Sequence, residues 1–280
     1  MKFKFRSTLV DAENRKARNF NYIVETDQWL EHMRSRPEFY GNVPSLIEES
    51  LLPALDSHDQ KRLAAFIVHL DEQCLKINAN IIFELAMFVW AEFRKRRVSA
   101  DQWGLTLGLT WQSGHRGMLA GVALSQATVL EMFREAPTAA IHWSVDPEGE
   151  AQRKFDQLPD ELQVFRGVST GIDHYEDGLS WTTNPVEARN FMGHNTHNSK
   201  EIPGLLTAVV PKKAVLAMFD FEDEVVVDPT VRKVEVERHF LRGPELRAFR
   251  KWIDVGRRGE QMLSYEAPRR FSGMTSGRLK

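Results

Sequence analysis

The stretch GLLTAVVPKKAVLAMFDFEDEVVVDP, Gly204 to Pro229, is the clearest indication of the fold class of the second half of the chain. It holds three short apolar runs, separated by a proline–lysine segment and by an acidic segment around Phe221. Short β-branched runs bounded by proline, glycine and aspartate are typical of strands. Because similar runs (LQVFRGV, GLSWTT and KVEVER) occur on either side, we expect a β-rich region.

One helix interrupts this strand pattern. The segment NPVEARNFM opens with Asn184 as a helix N-cap and with Pro185 at the first helical position. We therefore predict an α+β domain over residues 146–253. The domain boundary is placed in the polar segment 144–162, which contains two prolines and a glycine.

Residues 1–145 are predicted to form an all-helical domain. Apolar residues recur there at three- and four-residue spacing, as in Leu63, Phe66, Ile67 and Leu70. The following segment, NANIIFELAMFVWAEFRKRR, is apolar on nearly all faces and then basic, as expected of a central helix with cations near its C-terminal end. Five tryptophans are expected to anchor this core: Trp29, Trp90, Trp103, Trp111 and Trp143.

Length and composition limit the functions that fit the chain. Its 280 residues are 42% hydrophobic and 27% charged, the mix of an ordinary folded protein. No apolar run approaches the ~20 residues that span a bilayer, and the polar N-terminus has no signal-like core, so we expect no membrane association and a cytoplasmic location. The single cysteine, Cys74, fits a reducing compartment and a structural role. A net charge of −2 does not favour a nucleic-acid partner, and residues 254–280 are expected to be a basic, flexible tail.

Arg166 and Gly167 are the first of three polar features at strand-like positions. In VFRGV an arginine stands inside an apolar run, where it costs free energy unless it meets an anion. A buried carboxylate would serve, and so would a phosphate, because the guanidinium fork matches two phosphate oxygens. Gly167 would let a ligand approach the backbone closely.

Ser180 and Thr182 form the second feature. In GLSWTTNPVEARNF, strand alternation places both hydroxyls on one face, either as the exposed side of a half-buried strand or as ligand contacts. The polar segment after it, residues 192–204, has the composition of a mobile binding loop. His194 and His197 lie in this segment without a cysteine or carboxylate cluster, so we expect no metal.

Glu222 and Glu224 form the third feature. In FEDEVVVDP, alternation along a strand predicts that both side chains point to one side, with Asp223 pointing away. Two carboxylates this close repel each other unless a cation, or a ligand that develops positive charge, lies between them. Glycosidic cleavage through an oxocarbenium-like state has that requirement. A solvated acidic loop is the simpler alternative.

Taken together and in this order, the three features resemble the Arg–Ser–Glu motif set of mono-ADP-ribosyltransferases of the arginine-modifying toxin type. The resemblance covers about residues 160–240 and rests on VFRG, SWTT, the aromatic of RNF and the Glu-x-Glu of EDEVVV. It implies a C-terminal split two-sheet α+β sandwich that binds NAD⁺ between its sheets, preceded by the all-helical domain. Residues 1–145 resemble no family.

The resemblance assigns several residues to NAD⁺ binding. Arg166 would bind the diphosphate, and the backbone of Gly167 would hydrogen-bond the nicotinamide amide. Phe191 would stack on the nicotinamide ring. Relatives usually carry a second arginine after this aromatic, whereas here His194 stands in that region and Arg189 precedes it, which leaves the second phosphate contact open.

The resemblance places catalysis and acceptor binding on the other two features. Ser180 would order the site and contact the catalytic glutamate, with Thr182 supporting the strand. Glu224 would bond the 2′-hydroxyl of the nicotinamide ribose and stabilise the oxocarbenium. Glu222 would orient or deprotonate an acceptor guanidinium, and Phe219 would lie in the acceptor-recognition turn just before it.

We therefore expect an enzyme that transfers ADP-ribose from NAD⁺ to a target protein, at an arginine, as a bacterial or phage effector or toxin. An NAD⁺ glycohydrolase, in which water replaces the acceptor, and a catalytically inactive binding module on the same fold are the alternatives. The helical domain would recognise the target or regulate the cleft, and an inhibitory partner is compatible with that role. The target would be a protein of the cell's own cytoplasm or of a host cytoplasm.

Overall fold

The computed structural model describes residues 26–74, 80–112, 126–170, 178–194, 196, 200–231 and 236–257. Within these ranges helices fill the chain up to residue 156, and strands begin at residue 161. The α+β class predicted from the sequence is therefore confirmed. The predicted tail over 254–280 lies mostly outside the described residues.

The helices of the first half follow the apolar spacing of the sequence. Their bounds are α1 (Thr26–Arg34), α2 (Pro37–Tyr40), α3 (Val43–Leu46), α4 (Leu52–Asp56), α5 (Gln60–Cys74), α6 (Asn80–Arg94), α7 (Ala100–Gln112), α8 (Gln126–Glu135), α9 (Thr138–Val145) and α10 (Glu150–Asp156). A π-helical segment, Ile47–Leu51, joins α3 to α4 without a break. In the part of the chain described, no helix combines the length and the apolar character needed to cross a bilayer.

The second half contains the strands and two more helices. The strands are β1 (Glu161–Ser169), β2 (Ser180–Thr182), β3 (Pro203–Pro211), β4 (Val215–Phe219), β5 (Glu224–Val227) and β6 (Glu237–Phe240), and the helices are α11 (Pro185–His194) and α12 (Gly243–Arg257). Within the described ranges these strands form a sheet in the order β4-β5-β2-β1-β3-β6. The pairs β1–β2, β3–β6 and β4–β5 are antiparallel.

The chain divides into two compact units. The first comprises Met1–Leu162, Asp177–Ser180 and Val210–Lys233, and the second comprises Gln163–Glu176, Trp181–Val209 and Val234–Lys280. The domain boundary predicted near residue 145 thus falls inside the first unit. That unit contains both the helices of the first half and the strand pair β4–β5.

One apolar cluster forms the core of the first unit. Four of the five tryptophans expected to anchor it are buried, and Trp143 packs against it from a partly exposed position. The cluster also includes Ala217, Phe219 and Val226 of the strands, and Leu179, which directly precedes β2. Every residue of β5 is buried. A strand without an exposed face needs cover on both sides, and the helical core contributes to that cover.

Helix α7 begins with a capping box. The Gln102 backbone N–H donates to Ser99 Oγ at 3.2 Å, and the Ser99 backbone N–H donates to Gln102 Oε1 at 3.0 Å. The Gln102 amide nitrogen also donates to the carbonyls of Ala54 and Leu55, at 3.3 and 3.0 Å, near the end of α4. This buried side chain therefore fixes both the start of α7 and its position against α4.

Glycines let α7 and α9 approach each other closely. A Cβ on Gly104 would lie 2.7 Å from the Ala140 Cβ, and one on Gly108 would lie 2.1 Å from Ser144 Oγ. Helix α9 in turn bonds β4, because Thr138 Oγ1 donates to the carbonyl of Leu216 at 3.1 Å. A continuous set of contacts thus connects α7, α9 and the strand pair β4–β5.

His142 on α9 makes the second bond to β4. The Met218 backbone N–H donates to His142 Nε2 at 3.0 Å, and His142 Nδ1 lies 2.9 Å from Gln152 Oε1. An acceptor Nε2 paired with a donor Nδ1–H is a neutral imidazole. Burial of the ring lowers the pKa of His142 below its usual value, although Gln152, Asp156 and Asp220 act in the opposite direction.

We expect the free energy of unfolding to fall as the pH drops below about 6.5, the pKa of an unperturbed histidine. Below that pH the unfolded chain takes up a proton at His142 that the folded chain, with its lowered pKa, does not, so acid favours unfolding until the pH reaches the folded pKa. Urea unfolding between pH 5 and 7.5 measures the effect. In His142→Gln the free energy of unfolding should depend less on pH. An equal pH dependence of this free energy in wild type and variant would contradict the prediction.

The second unit has a smaller apolar core between its strands and helices. The buried members of this cluster are Phe165, Ala188, Met192, Leu205, Leu241 and Phe249. Phe165 of β1 is in register with Thr182 of β2. The predicted N-cap of α11 is confirmed, since Asn184 Oδ1 accepts the backbone N–H of Val186 at 2.9 Å.

Candidate functional site

A buried carboxylate with two side-chain donors lies at the start of β5. Glu224 is 2% exposed. Ser180 Oγ donates to Glu224 Oε1 at 2.5 Å, and Trp111 Nε1 donates to the same oxygen at 3.2 Å. All three residues belong to the first unit. The structure thus brings together Ser180 and Glu224, which the motif resemblance had paired, and adds Trp111.

The backbone of β2 and β5 sets the position of Ser180. The Val227 backbone N–H donates to the carbonyl of Leu179 at 2.8 Å, and the side chain of Leu179 is buried in the core of the first unit. Ser180 follows directly and is half-buried. Its hydroxyl therefore reaches Glu224 from a backbone already bonded to β5.

Trp111 is the residue of this site that sequence reasoning missed. It was expected only to anchor the helical core, and it does so: its side chain is 0% exposed and meets the Phe133 ring edge-on, with ring centroids 4.9 Å apart and planes at 88°. Its indole N–H nevertheless donates to a carboxylate 113 positions away in the chain. No local pattern around Trp111 indicates that partner.

The turn before Glu224 corrects the prediction of strand alternation. Glu222 and Glu224 do not share a strand, because Phe221–Asp223 is a 3₁₀ turn and β5 begins at Glu224. Glu222 and Asp223 both have left-handed backbones, with φ of 68° and 48°. Such a conformation costs roughly 1–2 kcal/mol per residue for side chains other than glycine. A tight, strained turn, rather than a strand pleat, therefore sets how the two acids are placed relative to each other.

Phe219 also differs from its predicted position. It was expected in the acceptor-recognition turn, but it is the last residue of β4, in register with Glu224 of β5, and its side chain is 0% exposed. Its packing in the helical core supports the strand pair. In this arrangement it presents no side-chain surface to an acceptor.

An ion pair fixes the other end of β5. Arg134 of α8 donates through Nε and Nη2 to Asp228 Oδ2, at 2.8 and 2.6 Å, and Asp228 Oδ1 accepts from the backbone and hydroxyl of Thr230. Burial alone would raise the pKa of Asp228, but the hydrogen bonds from Thr230 and Arg134 outweigh it and hold the pKa below its usual value. β5 is thus clamped just beyond its last residue, with Glu224 at its first.

The residues predicted to bind NAD⁺ lie in the second unit. Arg166 and Gly167 are in β1, Thr182 is in β2, and Phe191 is in α11. Arg166 and Phe191 are half-buried, whereas Thr182 is buried and its Oγ1 accepts the backbone N–H of Asn184 at 3.0 Å. His194 also belongs to the second unit, so all five residues predicted to bind NAD⁺ are assigned to that unit, whereas Glu224 is assigned to the first.

The helix carrying Phe191 is longer than the sequence predicted. The predicted binding loop was expected to begin at residue 192, but α11 continues to His194. Residues 195 and 197–199 of the predicted binding loop lie outside the described residues. Among the residues that are described, no group of three or more histidine, cysteine, aspartate or glutamate side chains is placed to hold a metal ion.

Gly167 has a packing role that the sequence did not indicate. A Cβ added there would lie 1.9 Å from the carbonyl oxygen of Ala188, 2.5 Å from the nitrogen of Met192 and 2.9 Å from the carbonyl carbon of Phe191. All three atoms are backbone atoms of α11, so only glycine lets this helix lie directly on β1. The side of the residue where a Cβ would project is filled by protein.

In comparisons with known proteins, no family model, no curated protein and no solved structure matches the chain.

Proposed function

We propose that the chain is a mono-ADP-ribosyltransferase that uses NAD⁺ as substrate and modifies an arginine of a target protein. The observation that carries the proposal is the hydrogen bond from Ser180 Oγ to Glu224 Oε1. A serine on one strand and a glutamate on another, 44 positions apart, meet in the pairing that the motif resemblance requires. A buried carboxylate held by donors from its own protein is suited to stabilising positive charge.

The reaction breaks the bond between the ribose C1′ and the nicotinamide nitrogen. Nicotinamide leaves with the bonding electron pair, which neutralises its positive charge, and the ribose carbon becomes oxocarbenium-like. Glu224 would stabilise that cation and accept a hydrogen bond from the 2′-hydroxyl. A guanidinium nitrogen of the acceptor then bonds C1′ and gives up one proton.

Glu222 would receive that proton or orient the acceptor. It is half-buried and lies in the left-handed turn two residues before Glu224. Conformations of this cost persist where the surrounding structure holds them, and they are enriched at functional sites. The turn thus supports a role at the acceptor side, with the arginine preference resting on the Glu-x-Glu pattern.

The NAD⁺-binding part of the proposal rests on the motif resemblance. Arg166 would bind the diphosphate, the Gly167 backbone would bond the nicotinamide amide, and Phe191 would stack on the ring, in a cleft of a split two-sheet sandwich. Thr182 would support β2, and His194 stands where relatives carry a second phosphate ligand. Because Glu224 is 2% exposed, its carboxylate must become accessible when the dinucleotide binds.

The test uses NAD⁺ labelled on its adenylate half, incubated with the full chain and a bacterial cell lysate. We expect the wild-type chain to label a protein, mass spectrometry to place ADP-ribose on an arginine, and Glu224→Ala to give no label. Release of free nicotinamide without labelled protein would instead favour the hypothesis of an NAD⁺ glycohydrolase. Equal labelling by the variant, or no nicotinamide release by the wild type, would contradict the proposal.

A further inference from the structure

We infer that Trp111 is a positioning residue for the reaction proposed above, through its indole N–H on Glu224. The inference rests on the proposed function and assigns a role in it to the helical half of the chain. Trp111 is in the last turn of α7 and belongs to the same compact unit as Glu224. The bond joins Trp111 Nε1 and Glu224 Oε1 at 3.2 Å, and both side chains are buried.

The two donors on Oε1 determine how the carboxylate is oriented. Ser180 Oγ and Trp111 Nε1 both donate to this oxygen, from a strand and from a helix. With two fixed donors the carboxylate cannot rotate freely about its last torsion, so the direction of its second oxygen is also set. A charge-stabilising group works through such preorganisation, because it then needs no rearrangement as the cation forms.

The position of the indole is fixed by packing against Phe133 and by contacts that fix α7 itself. Its ring meets Phe133 edge-on, and the capping box of Ser99 and Gln102 fixes the start of the helix. Helix α7 is further packed on α9 through Gly104 and Gly108. The geometry of the carboxylate therefore depends on helices that carry none of the Arg–Ser–Glu motifs.

Trp111→Phe removes the N–H donor and keeps an aromatic ring against Phe133. A hydrogen bond to a charged acceptor stabilises by an amount that corresponds to roughly a 10- to 100-fold change in rate. We therefore expect kcat for nicotinamide release from NAD⁺ to fall about 10- to 100-fold, whereas KM for NAD⁺ should change less than about threefold. A purely structural role would lower the melting temperature without this split between kcat and KM.

Trp103→Phe is the matched control on the same helix. Trp103 is also 0% exposed, and its indole N–H donates to the carbonyl of Met132 at 3.2 Å, so the variant loses an equally long bond that does not reach the carboxylate. We expect a similar loss of stability and wild-type kcat. Equal losses of kcat in both variants would overturn the inference.

A double-mutant cycle tests the contact without using enzyme activity. In urea unfolding, Trp111→Phe and Glu224→Ala, which removes the acceptor, should be non-additive, whereas Trp103→Phe and Glu224→Ala should add. Additivity of the first pair would overturn the inference. An unchanged kcat in Trp111→Phe would also overturn it. A raised kcat would do so too, because it would mean that the indole blocks access to Glu224. A wild-type chain that releases no nicotinamide overturns the proposed function and this role with it, a result distinct from an active wild type that tolerates Trp111→Phe.

Discussion

Glu224→Gln should reduce nicotinamide release from NAD⁺ by about 10²–10³-fold while the chain keeps its fold, since removing one preorganised charge-stabilising group costs about that much in kcat. Glutamine has nearly the shape of glutamate, and its amide oxygen can still accept from Ser180 Oγ and Trp111 Nε1. What the variant loses is the negative charge that would face the developing ribose cation. Kinetics at saturating NAD⁺, together with thermal unfolding of both proteins, measure the two effects separately.

Asp220→Asn is the control for this substitution. Asp220 is an exposed acid four positions before Glu224, and it forms a 3.0 Å surface ion pair with Lys154. Such pairs are worth about 0–1 kcal/mol, so neither turnover nor stability should change much. If both acid-to-amide variants kept wild-type turnover, Glu224 would be a structural carboxylate and the enzyme proposal would lose its central residue.

Gly167→Ala should destabilise the folded chain by about 3 kcal/mol, the upper range for inserting a methyl group into a packed site. The new Cβ would lie 1.9 Å from a carbonyl oxygen and 2.5 Å from a backbone nitrogen, so α11 as a whole would have to move off β1. Side-chain rotation cannot relieve a clash with backbone atoms. Urea or thermal unfolding of the variant measures the loss.

Gly193→Ala, a substitution in α11 itself, provides the comparison. There the nearest atom to an added Cβ is a ring carbon of Trp252 at 3.3 Å, which can give way. Alanine also favours a helix over glycine by about 1 kcal/mol, so stability should change little. A Gly167→Ala variant as stable as wild type would show that the close packing of α11 on β1 does not constrain this position. If it is unstable as expected, its loss of activity would say nothing about a nicotinamide contact.

Much of the fold could be predicted because its signals are local. Three- and four-residue apolar spacing indicated α5, and the turn-bounded valine runs indicated β3 to β5. Asn184 before Pro185 gave the start of α11 correctly, since an N-cap depends on bonds within a few residues. Local signals do not show which elements share a core: β4 and β5 contribute to the apolar cluster of the helices and belong to the same compact unit.

The candidate site was predictable only in part. The motif resemblance implied that Ser180 contacts Glu224, and the structure places them in contact. Alternation failed for Glu222, because a left-handed turn interrupts the strand, and a glutamate carries no sequence signal for positive φ. Phe219 was assigned to a turn, but an aromatic residue at a strand end is stabilised by burial in the core.

Pattern and motif were sufficient to predict the α+β class, the kinds of side chain at the candidate site and, through the resemblance, the chemistry proposed for them. Chain packing was needed to show that a helix supplies Trp111 to Glu224 and that α11 packs against Gly167. The difference lies in the range of the interactions involved. Periodicity and caps act over a few residues, whereas the indole and the carboxylate are 113 positions apart and meet only because helices and strands pack into one core.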